Sequence, residues 1–154
     1  WFLVNEIAKN VDAKEYSSIF FHWIPGEKIL MGPIWDFDLG FGNVNYSAPE
    51  YPEAWWVRDN EWIDRMLEDP QFAQRVKERF ADIDSQRAEI KRSIYLWADQ
   101  LQISQTENDS IWRTIGTWVW PNPVVYDTYE EEVEHLVTWL DTRMDWLADA
   151  IKNL

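Results

Sequence analysis

The chain has 154 residues, 12 of them tryptophan, with two histidines, no cysteine and a formal net charge of −14. Lack of cysteine excludes disulfide frameworks, thiolate zinc sites and cysteine nucleophiles, and two histidines argue against a multi-histidine metal centre. The acidic balance argues against phosphate-neutralising nucleic-acid binding and against a polybasic membrane-surface role, while the length fits one domain and the aromatic content argues against disorder.

In chain order, residues 1–9 read as the tail of a buried helix and 10–15 as a loop. Because the first residues already have the character of a helix interior, the chain reads as a fragment or processed product, any signal peptide lying upstream. Residues 18–24 are β-branched and aromatic, which predicts a strand. Pro25-Gly26 is a turn pair, and residues 28–38 are expected to return as a second strand. Residues 43–60 read as a long irregular loop. Helices are expected over 61–67, 70–82, 84–103 and 108–116, with an irregular link at 118–123. Asp69-Pro70 is a start signal for the second of these. Residues 126–154 predict a long amphipathic helix whose stripe includes Val133, Leu136, Val137, Leu140, Met144, Leu147 and Ile151, with Asp127 or Thr128 as its cap. Glu130, Glu131 and Glu132 suit its first turn. The fold class is therefore mainly α with a small β-hairpin, in one domain: a site hairpin at 17–43, an irregular loop at 43–60 and a helical part at 61–154. No apolar run is long enough to span a bilayer.

The most informative stretch is Gly32-Pro33-Ile34-Trp35-Asp36-Phe37-Asp38-Leu39-Gly40-Phe41-Gly42-Asn43, which sets two carboxylates in an aromatic, apolar segment. Burying an unpaired carboxylate is costly, so a compensating cation is expected. In an extended segment Asp36 and Asp38 would share one face, with Trp35, Phe37 and Leu39 on the other. Helix, loop with Asp12, hairpin and Asp36 follow in the order that a kinase catalytic half uses: one carboxylate for the attacking hydroxyl, a second for the metal on the nucleotide phosphates.

These residues resemble the CotH family, the spore coat protein H kinase-like proteins. The resemblance is carried by Trp1 to Asp12, by Phe20-Phe21-His22, by the Gly32–Asn43 run, and by the C-terminal segment from Tyr129 through Arg143 to Trp146. It implies an atypical kinase-like fold similar to the C-terminal lobe of a protein kinase, with ATP and Mg²⁺ or Mn²⁺ as cofactors and protein Ser/Thr hydroxyls as acceptors. By position, Asp12 is then the catalytic-loop Asp, and Asp36 and Asp38 are the metal ligands. Ser17 stands where kinases place a metal-binding Asn, and Asn10 is a neighbour of the cofactor site. The nucleotide-binding N-terminal lobe is absent from this chain and is the implied partner, so the piece alone is expected to be inactive while the parent transfers phosphate. An extracytoplasmic, cell- or spore-surface location is the family-level expectation.

Plainer readings stand beside these. Asp36 and Asp38 could be salt-bridged to Arg or Lys, Asp12 could be a solvated cap, and Asn10 could simply form its loop. His22 reads as a packing or hydrogen-bonding residue and His135 as a surface or core-edge residue. Trp55-Trp56 and Trp118-Trp120 are where a sugar-stacking platform would lie, in a carbohydrate-binding alternative. The other alternative is a non-catalytic surface or spore-coat binding module of the same fold.

Overall fold

The computed structural model describes residues 1–14 and 18–154. Among the described residues there are six helices, α1 (Phe2–Ala8), α2 (Glu61–Leu67), α3 (Pro70–Ser85), α4 (Arg87–Gln100), α5 (Gln102–Trp112) and α6 (Tyr129–Ala150). Two short strands, β1 (Phe21–His22) and β2 (Leu30–Met31), pair antiparallel with Phe21 opposite Met31 and His22 opposite Leu30. The architecture is mainly α with a small β element, as the sequence pattern predicts.

Capping chemistry fixes the helix starts. Asn60 accepts from the Trp62 amide at 3.0 Å and Asp69 from the Gln71 amide at 2.8 Å, with Pro70 in the first turn. Thr128 and Glu131 form a reciprocal capping box on α6, which identifies Thr128 as its cap. The core joins α1, α2, α3 and α6 through Phe2, Leu3, Ile63, Val76, Phe80, Leu140, Met144, Leu147 and Ile151. Each fully buried aliphatic side chain there contributes about 1.5–3 kcal/mol of transfer free energy. By contrast, α4 and α5 bury no residue completely. Polar contacts help hold α4 to α6, Lys91 to Asp141 at 2.6 Å and Tyr95 to Glu134 at 2.7 Å.

Several boundaries differ from expectation. The continuous helix expected over 84–103 breaks at Leu101, and α5 begins at Gln102 rather than near Asn108. The last helix starts at Tyr129 and tightens into a 3-10 turn at Ile151–Asn153. The hairpin is much shorter than the expected 18–24 and 28–38. Its turn is as read: Glu27 N–H donates to Ile24 O at 2.9 Å around Pro25 and a Gly26 at φ +90°. The second strand ends at Met31, with one last bond from the Gly32 N–H to Phe20 O at 3.0 Å, because Gly32 takes φ +145° and Pro33 has no N–H to offer a partner.

Candidate functional site

The site is built where α1 ends. Lys9 turns left-handed at φ 45° and closes the helix. Asn10 then accepts a hydrogen bond from the Asp12 amide at 3.2 Å, capping a 3-10 turn over Val11–Ala13 that carries Asp12. The segment after the hairpin is stitched to this corner by backbone bonds, Val11 N–H to Leu39 O at 3.1 Å and Phe41 N–H to Ala8 O at 2.7 Å. Gly40 permits that closeness, since a Cβ there would lie 3.2 Å from the Ala8 carbonyl.

Asp36 is not extended. It sits at φ 59°, in the left-handed region, so the alternating-face geometry expected from a strand does not hold. Both Asp36 and Asp38 are exposed, so burial cost is not what calls for a cation here. The carboxylates nevertheless converge. Asp38 shares a side-chain hydrogen bond with Asp36, and this, followed by the negative charge of Asp38, slight desolvation and the charge of Asp12, holds the Asp36 carboxyl above its ordinary range. Asp12 and Asp36 also line one small cavity with Asn5, Asn10 and Trp35. Asp38 borders a neighbouring cleft of about 290 Å³ with Glu132, His135 and Tyr126. No Lys or Arg among the described residues forms an ion pair with Asp12, Asp36 or Asp38, so the salt-bridged reading of the pair finds no partner there. Also among the described residues, no group of three or more His, Asp or Glu side chains is arranged to cage a metal by itself.

Asn10 is 3 % exposed and both ends of its carboxamide are hydrogen-bonded. Besides the Asp12 amide, its nitrogen donates to Asp36 O and Asn5 Oδ1, both at 3.2 Å, with Trp35 O at 3.5 Å. Asn43 donates to Asp38 O at 3.0 Å and steadies the far end of the motif. Ser17 lies outside the described residues. His22 is exposed on β1, and His135 is half-buried with Nδ1 3.0 Å from the Tyr126 hydroxyl.

Sequence reasoning missed the charges beneath the site. Glu6 and Arg143 form an ion pair with no exposure of either side chain. Glu6 accepts the Trp56 and Arg58 amides at 2.9 and 2.6 Å, while Arg143 donates to Pro52 O and Ala54 O at 2.7 Å and to Glu6 O at 2.9 Å. Lys9 donates to Tyr51 O at 2.8 Å and Glu53 O at 2.6 Å. Burial pushes the Glu6 carboxyl up and Arg143 down to about 10, which leaves the guanidinium charged at neutral pH. The irregular loop at 43–60 is thus fastened by side chains from α1 and α6. Trp55 and Trp56 belong to this packing: Trp56 Nε1 donates to Asn10 O at 3.0 Å, and Trp55 lies edge-on to Trp146. Trp118 and Trp120 are exposed, and Trp120 stacks on Tyr46.

A helical domain that gathers acidic side chains where a small hairpin meets the end of its first helix is the class that fold and site define. The family model described as CotH kinase protein matches residues 1–147, and the chain belongs to that kinase-like family. No curated protein and no solved structure gives a significant match. Among the described residues no helix is long and apolar enough to cross a membrane.

Proposed function

We propose that this chain supplies the acceptor-side catalytic residues of a phosphotransferase that, in the intact domain, moves the terminal phosphoryl group of ATP to a protein Ser or Thr hydroxyl. The observation that carries this reading is the meeting of Asp12, Asp36 and Asp38 without a basic partner among the described residues. The donor set suits Mg²⁺ or Mn²⁺: two carboxylates, hard oxygen ligands, one of them held above its usual range by the other. Magnesium is commonly bound by one or two carboxylates, with waters and substrate phosphates completing its shell, so a three-residue protein cage is not required. Asp36 and Asp38 would hold the ion. When bound, it would neutralise charge on the terminal phosphates. Asp12 would orient the acceptor hydroxyl and take its proton as the oxygen bonds to phosphorus and the bond to the leaving ADP oxygen breaks. The capped turn under Asp12 and the backbone bonds at Leu39 and Phe41 keep these groups in register, and positioning supplies much of the rate in this chemistry.

Labelled ATP with the intact protein and a Ser/Thr protein acceptor tests the reading. Wild type should incorporate label, and Asp12→Asn and Asp36→Ala should each lose it by about 100-fold or more. Equal incorporation by wild type and Asp36→Ala would remove the site assignment. No incorporation by wild type would favour the binding module. The carbohydrate reading draws its support from exposed tryptophans, Trp118 and Trp120 among them. Titration of tryptophan fluorescence with oligosaccharides would leave the spectrum unchanged if phosphotransfer is the function.

A further inference from the structure

We infer that Asn10 is a positioning residue that locks the proton-accepting carboxylate to the metal-binding one, rather than a ligand of the cofactor. The inference rests on the phosphotransferase reading of Asp12 and Asp36. Its basis is one side chain with two arms. The carboxamide oxygen of Asn10 accepts the Asp12 amide at 3.2 Å, and the nitrogen donates to the Asp36 carbonyl at 3.2 Å. The two aspartates are 24 positions apart in sequence and are carried by different elements. The Asn10 side chain hydrogen-bonds directly to the backbone of both.

Three observations make this a built joint. Asn10 is sealed at 3 % exposure, so no water competes for its bonds. The Asn5 carboxamide oxygen accepts from the same nitrogen at 3.2 Å, which orients the amide with its nitrogen toward Asp36. Asn5 is itself 2 % exposed and donates to Trp1 O at 3.0 Å. Finally, Asp36 holds a left-handed φ of 59°, a conformation less common than the right-handed one even for aspartate, which enters it more readily than most non-glycine residues. The bond from Asn10 falls on the carbonyl of that same residue. Both donor hydrogens of the Asn10 carboxamide are directed at protein atoms, and its oxygen already accepts the Asp12 amide. Removal of the nitrogen arm takes away the side-chain link between Asp36 and Asp12 without touching either carboxylate, and leaves the Val11–Leu39 backbone bond in place.

Two substitutions separate the arms. Asn10→Asp is isosteric and keeps an acceptor for the Asp12 amide but has no donor for Asp36. Asn10→Ser keeps the cap with a smaller side chain, and covers the case in which a buried carboxylate at this position blocks folding. Mn²⁺ binding to the full chain, read as loss of the free-ion EPR signal, is measured for wild type, both variants and Asp36→Asn, alongside urea denaturation. Outer partners of metal ligands typically change affinity by about 10–100-fold. We expect both folded Asn10 variants to bind Mn²⁺ at least about tenfold more weakly. In the phosphotransfer assay kcat should fall by a similar factor, with the KM for ATP nearly unchanged. Wild-type Mn²⁺ affinity and kcat in either folded variant, with Asp36→Asn defective, would overturn the positioning role alone. Unaltered Mn²⁺ binding by Asp36→Asn would overturn the metal reading and this inference with it.

Discussion

Arg143 on α6 and Glu6 on α1 form a fully buried ion pair, 137 positions apart in sequence, that also gathers the carbonyls of Pro52 and Ala54 and the amides of Trp56 and Arg58. The pair joins the first helix, the last helix and the irregular loop between them. Breaking such a pair leaves one charge buried without a partner, which typically costs about 3–5 kcal/mol. Arg143→Met should therefore lower the unfolding free energy by about that amount in urea denaturation. Arg143→Lys should recover little of it, because an ammonium cannot reproduce the planar fork that reaches Glu6 and two carbonyls together. A loss below about 1 kcal/mol in Arg143→Met would show that the pair is not needed.

Lys9 gives the molecule a pH signature. Burial lowers its ammonium from 10.5 to about 8. Between those values the unfolded chain keeps a proton that the folded chain has released. The penalty of burying the charge is present in full below pH 8 and is relieved as pH rises toward about 10.5, so this residue makes stability increase across that window. Denaturation of wild type and Lys9→Met from pH 7 to 10 should show the wild type gaining on the variant above pH 8. Parallel curves would contradict the assignment.

Gly42 is packed where no side chain fits. It has φ +81°, and a Cβ would lie 2.4 Å from the Trp139 indole nitrogen. That nitrogen donates to Glu50 O at 2.9 Å. Gly42→Ala combines overpacking with a disfavoured backbone and should cost at least about 2 kcal/mol. It should also reduce phosphotransfer, since the displaced backbone lies four residues from Asp38. Thermal denaturation and the labelled-ATP assay check the two effects.

Asp36 should trade stability for function. Its carboxyl is raised in the folded state, so its contribution is favourable while protonated and is lost as pH rises through the carboxylate range. Asparagine removes that loss and tolerates a left-handed φ. Without metal, Asp36→Asn should melt above wild type at pH 7, and the advantage should disappear near pH 3. Added Mn²⁺ should raise the melting temperature of wild type but not of the variant.

Helix positions and the acidic motif were legible because they follow local rules. The Asp69 and Thr128 caps, the apolar stripe of α6 and the Pro25-Gly26 turn all act within a few residues. The expected strands are longer than the observed ones because apolar and β-branched content marks strands, whereas the backbone pairing ends with the Gly32 N–H bond to Phe20 O at 3.0 Å and Pro33 has no N–H to continue it. Asp36 and Asp38 meet through a left-handed turn at the surface, not along the extended buried edge that the alternation of the motif predicts. Glu6, Lys9 and Arg143 went unread because their partners are backbone groups and one another, far apart in the chain. One signal was available. Arg143 lies three residues after Leu140 and four before Leu147, within the apolar stripe of α6, and a charge at such a position needs a buried partner.

Crystals soaked in Mn²⁺ and measured for anomalous scattering test the central claim most directly. The account predicts a peak within about 2.5 Å of carboxylate oxygens of Asp36 and Asp38, lost in Asp36→Asn. Manganese bound only at other acidic surfaces, with Asp36 and Asp38 unliganded, would contradict it.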